Sequence, residues 1–340
     1  MDPLPVGHGR LSMTKVILPG TLRSTSSIGF GTSGLSGELT YKESIALLEA
    51  AFDAGIRHFD TAPIYGLGAS EKILGDFLVR RREQVTVTTK FGLMPPRAQS
   101  LLLRAKSMIR PVLRQIPGLK SRLAQSIKGL RQPANYSPAG MKISLVASLR
   151  ALRCDRVDLF LLHEADATDI SDDLRKVLDD SVRSGLIGAW GVGSSRNKID
   201  RVVVCDPSAG RVLQFEWSVL PDCPRVYRDS FCITHGAFSS SLAPLKQLIA
   251  TSERQRHWSK EIGVDFSDGS VLPRLILRAA LAANPGGLVL FSSKKVRHIR
   301  DVAPLLQRHD DETLLRFLNF VDRSRTLVAE LTKGSAAGPK

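Results

Sequence analysis

The chain is poor in the features that would assign its class at once. Its 340 residues hold four cysteines, Cys154, Cys205, Cys223 and Cys232, with no CxxC pair and no metal-ligand spacing. A disulfide framework and a metal site are therefore not expected. Reduced, buried thiols are the plain reading and point to the cytoplasm. No apolar run approaches the roughly 18 residues a membrane-spanning helix needs, and the first twenty residues lack the continuous apolar stretch of a signal peptide. Aromatic residues are few, at 6%, but apolar residues at 43% suffice for a large core. A GxGxxG turn leading into a helix is also missing; Gly29-Phe30-Gly31-Thr32 is no such fingerprint. Acid is absent from one whole stretch. Between Arg97 and Arg131 there are nine Lys or Arg residues and no Asp or Glu, so this segment supplies much of the net charge of +15. A nucleic-acid binder more often spreads its basic charge over the fold, and the only aromatic of the stretch 97–140 that contains this segment, Tyr136, offers no stacking platform.

What the chain does have is alternation. Short apolar runs at 28–34, 56–60, 85–90, 157–162, 186–192, 212–217, 231–234 and 288–291 are separated by helical patterns, five of them near 41–54, 69–82, 141–153, 170–184 and 196–204. Strands apolar on both faces and alternating with helices imply a parallel sheet covered on both sides. Eight such units imply a closed (β/α)8 TIM barrel, an α/β fold, in preference to an open sheet. The expected organisation is one barrel over 15–325, interrupted by a basic helical insertion at 97–140 after the third strand, with a frayed tail at 333–340.

In such a barrel the C-terminal strand ends form the site. The polar residues there are Asp60, Lys90 and His163, with Tyr65 in the loop after Asp60. Singly, each has a plain alternative: Asp60 a helix cap, Tyr65 a packing aromatic, Lys90 a solvated strand end, His163 a core histidine. Together they suit one reaction. A tyrosine can protonate a carbonyl oxygen if a lysine ammonium lowers its pKa from about 10. An aspartate would pin that ammonium, and a histidine would orient the oxygen.

The segment FDAGIRHFDTAPIYGLGASEKILGDFL (52–78) closely resembles the Asp/Tyr segment of the aldo-keto reductase family. TTKFG (88–92) resembles its lysine strand, and SLRALRCDRVDLFLLHEAD (148–166) its histidine strand. The resemblance implies Tyr65 as general acid, Lys90 and Asp60 as its tuning pair, and His163 as orienter. It also implies a nicotinamide cofactor. Gly31 and Thr32 would approach the nicotinamide, Gln214 would bond its carboxamide, and His235 stands where many relatives stack a tyrosine. Where relatives read Gly-Val-Ser-Asn, this chain reads Gly191-Val192-Gly193-Ser194, so Ser194 replaces an amide. Ser239, with Ser240 and Ser241, is the pyrophosphate candidate. Ser292, Ser293 and His298 occupy the positions of the family's lysine, serine and arginine for the 2′-phosphate, with Lys294, Lys295 and Arg297 as electrostatic substitutes. NADP is favoured, with NAD the second choice.

The expected function is reduction of an aldehyde or ketone, or oxidation of the corresponding alcohol or sugar, on a small-molecule substrate, an anionic one included. The alternative is a catalytically weak nicotinamide-binding sensor or regulatory subunit. The basic insertion reads as a lid, as a receptor for anionic substrate, or as a contact through 97–135 for a partner or membrane surface.

Overall fold

The computed structural model describes residues 14–35, 39–95, 134–220, 227–302 and 311–324. The expected tail at 333–340 and all of the basic insertion except 134–140 lie outside the described residues.

Two three-residue strands come first, β1 (Lys15–Ile17) and β2 (Ser24–Ser26), paired antiparallel. Then follow β3 (Ile28–Gly31), β4 (His58–Asp60), β5 (Thr86–Phe91), β6 (Val157–His163), β7 (Ile187–Gly193), β8 (Val212–Glu216), β9 (Phe231–His235) and β10 (Leu288–Phe291). These eight are parallel, and β10 pairs with both β9 and β3, which closes the barrel. Each coincides with one of the apolar runs in the sequence. The hairpin does not, because strands reading KVI and STS are too short for a period-2 pattern to register.

Helices Tyr41–Asp53, Ala69–Leu78, Pro138–Leu152, Asp172–Arg183 and Arg196–Cys205 return the chain between β3 and β8. Pro138–Leu152 starts earlier than the pattern from 141 implies. The Ser137 hydroxyl accepts from the Gly140 N–H at 3.1 Å, and Pro138 has no N–H to leave unpaired in the first turn. Ala69–Leu78 stops short of 82, because Arg81 leaves helical geometry at φ −134°. The link from β8 to β9 forms no helix among its described residues, a departure from strict alternation. Ala237–Leu248, Ser252–Ile262 and Val271–Ala283 lie between β9 and β10, and Val296–Arg300 and Asp311–Arg323 follow β10.

Period-2 geometry sends alternate strand residues inward. Leu159, Leu161, Val212, Ile233, Leu288 and Leu290 fill one side of the barrel interior, and Val16 and Leu18 of the hairpin complete that cluster. The hairpin is thus the barrel floor. The other side of the interior is polar. His58, fully buried, has Nδ1 at 2.9 Å from Thr86 Oγ1 and Nε2 at 3.1 Å from Thr88 Oγ1, and Thr86 continues to Thr25 of the hairpin at 2.9 Å. Burial pushes the His58 pKa down to about 4, against the opposing charges of Asp60 and Asp158 and with help from Lys90, so the ring is neutral. Phe30, Phe59, Phe91, Phe160 and Phe215 belong to the larger core that includes the surrounding helices.

Candidate active site

The parallel strands end on one rim, opposite the hairpin. Lys90 and Asp60 are 1% and 3% exposed there, and a buried ammonium of that kind is tolerable only if paired and hydrogen-bonded. Lys90 Nζ donates to Asp60 Oδ1 at 2.6 Å and to the Thr61 carbonyl at 3.0 Å. Gln214 Nε2 donates to the other carboxylate oxygen, Asp60 Oδ2, at 2.8 Å. The sequence assigns Gln214 to a carboxamide; in the structure its amide N–H goes to Asp60. Burial works against the Lys90 ammonium, but the Asp60 charge, with Tyr65 beside it, outweighs that and holds the pKa above the ordinary lysine range.

Tyr65 follows β4 in a tight loop. The Thr61 N–H bonds the Thr88 carbonyl at 2.8 Å, the Tyr65 N–H bonds Ala62 at 3.0 Å, and Gly66, Leu67 and Gly68 then take positive φ before the next helix. The Tyr65 ring stands 5.2 Å from Lys90 Nζ and edge-on to the His163 ring at 5.9 Å between centroids. Asp60, Tyr65, Lys90 and His163 therefore form one cluster. Its electrostatics correct one expectation. Burial raises the Tyr65 pKa by more than Lys90 lowers it, with Asp60 adding to the rise, so the phenol stays protonated instead of moving below its usual range. A protonated phenol beside an ammonium is an arrangement for giving a proton to an oxygen that gains charge.

Two residues of this rim escaped the sequence reading. Tyr136, at the C-terminal base of the insertion, donates its hydroxyl to the His163 carbonyl at 2.7 Å and meets Phe91 edge-on at 6.1 Å. Gly92 makes room for it: at φ +122°, a Cβ there would come within 2.4 Å of the Tyr136 ring. No spacing signal could have found this contact, because the long insertion separates the two ends. The other residue is Glu164, immediately after His163 and in the left-handed region at φ +66°. Its N–H bonds the Gly193 carbonyl at 2.7 Å and its carbonyl accepts from Lys198 Nζ at 2.6 Å. Its carboxylate lies 3.5 Å from Ser194 Oγ. Ser194 is buried, and its N–H bonds the Gln214 carbonyl at 3.0 Å. A Cβ on Gly193 would stand 3.1 Å from Gln214 Oε1, so the serine of the family pattern would crowd the glutamine here.

The remaining candidates lie around β3, β9 and β10. Gly31 faces Ser292, whose Cβ would be 3.8 Å from a Cβ on the glycine. Thr32 is fully buried with its N–H on the Asp60 carbonyl at 2.9 Å, and its Oγ1, like that of Thr61, has no hydrogen-bond partner among the described residues. His235 ends β9 open to solvent; the protein around it still desolvates the ring enough to lower its pKa, Lys90 adding to this while Asp60, Glu216 and Glu164 oppose it. Ser239 and Ser240 turn their hydroxyls onto the Gly236 carbonyl at 3.1 and 2.6 Å, and Ser241 bonds Ser218 at 2.9 Å. Ser293 Oγ accepts from the Lys295 N–H at 3.1 Å and lies 3.4 Å from His298 Nδ1. The exposed His298 has its pKa lowered by partial desolvation and then by Arg297 and Lys295, with Lys246 adding and Asp301 opposing.

The model of the aldo/keto reductase family matches residues 27–225. D-threo-aldose 1-dehydrogenase from Pseudomonas sp is 35% identical over 176 residues, 49% of this chain and 50% of that protein. The chain spans about half the length of the curated relatives it matches. Among solved structures, a holo aldo-keto reductase from Bacillus halodurans aligns with a TM-score of 0.64 at 18% identity, covering 91% of this chain and 96% of that one. An aldo-keto reductase from Klebsiella pneumoniae in complex with NADPH aligns at 0.59 and 19% identity, covering 92% and 95%. At these identities the structural likeness shows the fold.

Proposed function

Because the chain belongs to the aldo/keto reductase family, we propose that it is an oxidoreductase that interconverts a carbonyl compound and its alcohol, sugars included, with NADP(H). The observation that carries this reading is the cluster at the rim: a buried Lys90–Asp60 pair 2.6 Å long, with the rings of Tyr65 and His163 against each other beside it. The D-threo-aldose 1-dehydrogenase similarity supports a sugar as substrate class.

The chain's own groups fit a nicotinamide dinucleotide. Thr32, whose N–H bonds the Asp60 carbonyl, and Thr61, next to Asp60 in the chain, have buried hydroxyls without a hydrogen-bond partner among the described residues. Lys246, Lys295 and Arg297 act on His298 at the end of β10, where a 2′-phosphate would be met by positive charge. Thr32, Ser194, Gln214 and His235 would hold the nicotinamide end, Ser239 the pyrophosphate, and Ser292, Ser293 and His298 with their basic neighbours the 2′-phosphate. When bound, the cofactor supplies hydride to the carbonyl carbon. His163 orients the carbonyl oxygen. Tyr65 holds its proton through neutral pH and gives it up from Oη as negative charge grows on that oxygen. Lys90, kept charged by Asp60, stabilises the phenolate left behind. In oxidation the same proton returns to Tyr65. A cytoplasmic location belongs to this reading, supported by the free thiols of Cys154, Cys205 and Cys232, of which only Cys232 is buried as expected, Cys154 being half-buried and Cys205 exposed; no helix among the described residues is long and apolar enough to cross a membrane.

Tyr65→Phe tests the reading. Turnover of an aldehyde panel should fall by about two to four orders of magnitude, while the NADPH dissociation constant, read by fluorescence titration, stays unchanged. Normal turnover in that variant would remove Tyr65 from the mechanism.

A further inference from the structure

The β5–β6 ladder stops one residue short of His163. Its last pair is Phe91 with Leu162, so His163 has Gly193 of β7 opposite it on one side and no paired β5 residue on the other. Gly92 leaves the strand at that point with φ +122°. A residue from elsewhere in the chain takes up the open side: Tyr136 donates its hydroxyl to the His163 carbonyl at 2.7 Å. Its own place is fixed by its neighbours. The Asn135 N–H bonds the Gly92 carbonyl at 3.1 Å, Asn135 Oδ1 accepts from the Ser137 N–H at 2.9 Å, and Ser137 caps the helix Pro138–Leu152. The Tyr136 ring meets Phe91 edge-on, and a Cβ on Gly92 would stand 2.4 Å from that ring and 3.0 Å from the His163 oxygen, so glycine keeps the way open for the bond. Burial, with the charges of Asp169 and Glu164 adding, raises the Tyr136 pKa, so the phenol remains a donor through neutral pH and above.

We propose that Tyr136 is a positioning residue for the reaction, acting through His163: its hydroxyl locks the peptide group that carries the imidazole and so aims the ring at the carbonyl oxygen. The inference rests on the reading of this rim as a carbonyl-reducing site. The His163 carbonyl and the Glu164 N–H belong to one planar unit. Tyr136 holds the carbonyl from the β5 side, and the Gly193 carbonyl holds the N–H at 2.7 Å from the β7 side. A plane pinned on both sides fixes the rotation between it and the His163 Cα, and with it the direction in which the side chain leaves the rim. That direction brings the His163 ring edge-on to Tyr65 at 5.9 Å, the arrangement in which both can meet one oxygen. With the Tyr136 bond removed, only the β7 side holds the plane, just where the chain turns into the left-handed region at Glu164. The imidazole then samples more directions, and small losses of aim are costly in rate.

The test is a double-mutant cycle. Reduction of glyceraldehyde by NADPH is followed in single turnover, with enzyme in excess over NADPH, in wild type, Tyr136→Phe, His163→Ala and the double variant. Tyr136→Phe should slow the reaction about tenfold with an unchanged NADPH dissociation constant. In the His163→Ala background the same change should cost less than about twofold, because the group it aims is gone. The melting temperature should drop equally in both backgrounds, since lost packing does not depend on the imidazole. A tenfold slowing in both backgrounds, or none in either, overturns the proposal alone. If His163→Ala is too slow to follow, the His163 ring signal of ¹³C-histidine-labelled protein, identified by its loss in His163→Ala, decides: it should shift and broaden in Tyr136→Phe, and an unmoved signal overturns the proposal. A wild type that binds NADPH and reduces no glyceraldehyde, or a His163→Ala variant as fast as wild type, overturns the underlying reading and this proposal with it.

Discussion

The two ends of the proposed site are made on different principles. At the catalytic end, Asp60, Lys90 and Gln214 are at most 4% exposed, and Lys90 and both carboxylate oxygens have partners between 2.6 and 3.0 Å. At the β10 end, Ser293 and His298 bond to each other in the open, and the positive charge around them comes from several chain positions at once. A buried charge has almost no freedom in partner or distance, because an error of one group leaves an unpaired ion in a poor solvent. An exposed cluster that meets a phosphate needs only enough positive charge nearby, and lysine or arginine from a neighbouring position serves. The first end therefore tolerates little change of residue type, while the second can accommodate exchanges.

The sharpest way to break this contrast is to remove the ammonium. Lys90→Met leaves Asp60 buried with Gln214 as its remaining side-chain donor. Stability should fall by about 3–5 kcal/mol in urea unfolding, and turnover by about 10³ or more. The double variant Lys90→Met/Asp60→Asn should regain most of the stability and none of the turnover. If the single variant is as stable as wild type, the pair is not the tight, buried one described here.

The polar interior beneath that pair gives the next largest effect. His58 is neutral when folded, with a pKa of about 4, and becomes protonated below the ordinary histidine range when unfolded. Between those two values the unfolded chain binds the extra proton, so stability falls as the pH falls. The whole loss is about 3 kcal/mol, reached near pH 4 and absent above about pH 7. Urea midpoints at a series of pH values measure it. His58→Gln should flatten the slope in that window, and an unchanged slope would place its origin in other groups.

This contrast also explains what the sequence made legible. All eight barrel strands were visible because a strand buried on both faces must be apolar almost throughout, as VDLFLL is in β6. Asp60, Lys90 and His163 stood out for the same reason: each is a charged or polar residue ending such a run, and although each alone has a plain reading, their recurrence at successive strand ends suits one chemistry. Their pairings did not stand out, although Gln214 itself is among the cofactor candidates. Gln214 reaches Asp60 across 154 residues, and Tyr136 reaches His163 across 27, so tertiary closure alone brings them together. The direction of the Tyr65 pKa was misjudged from sequence because a motif names the cation but not the depth of burial that opposes it. The hairpin floor was silent, since its hydroxyl partner Thr25 sits in a run too short to show any period.

The smallest effect belongs to the exposed end. Replacing the exposed Lys294, Lys295 and Arg297 together by glutamine removes three positive charges. The NADPH dissociation constant should rise about tenfold at low salt and by less at 0.5 M salt, as expected of solvated charges that salt screens. NADH, without the 2′-phosphate, should change by less than about twofold under the same conditions. Ser239→Ala should move neither constant appreciably, because its hydroxyl is already committed to the Gly236 carbonyl and only its backbone N–H, which alanine keeps, is left for the pyrophosphate. Equal losses for NADPH and NADH would mean that these residues support the fold of the rim instead of reading a phosphate. The two ends of the site would then differ in exposure but not in kind.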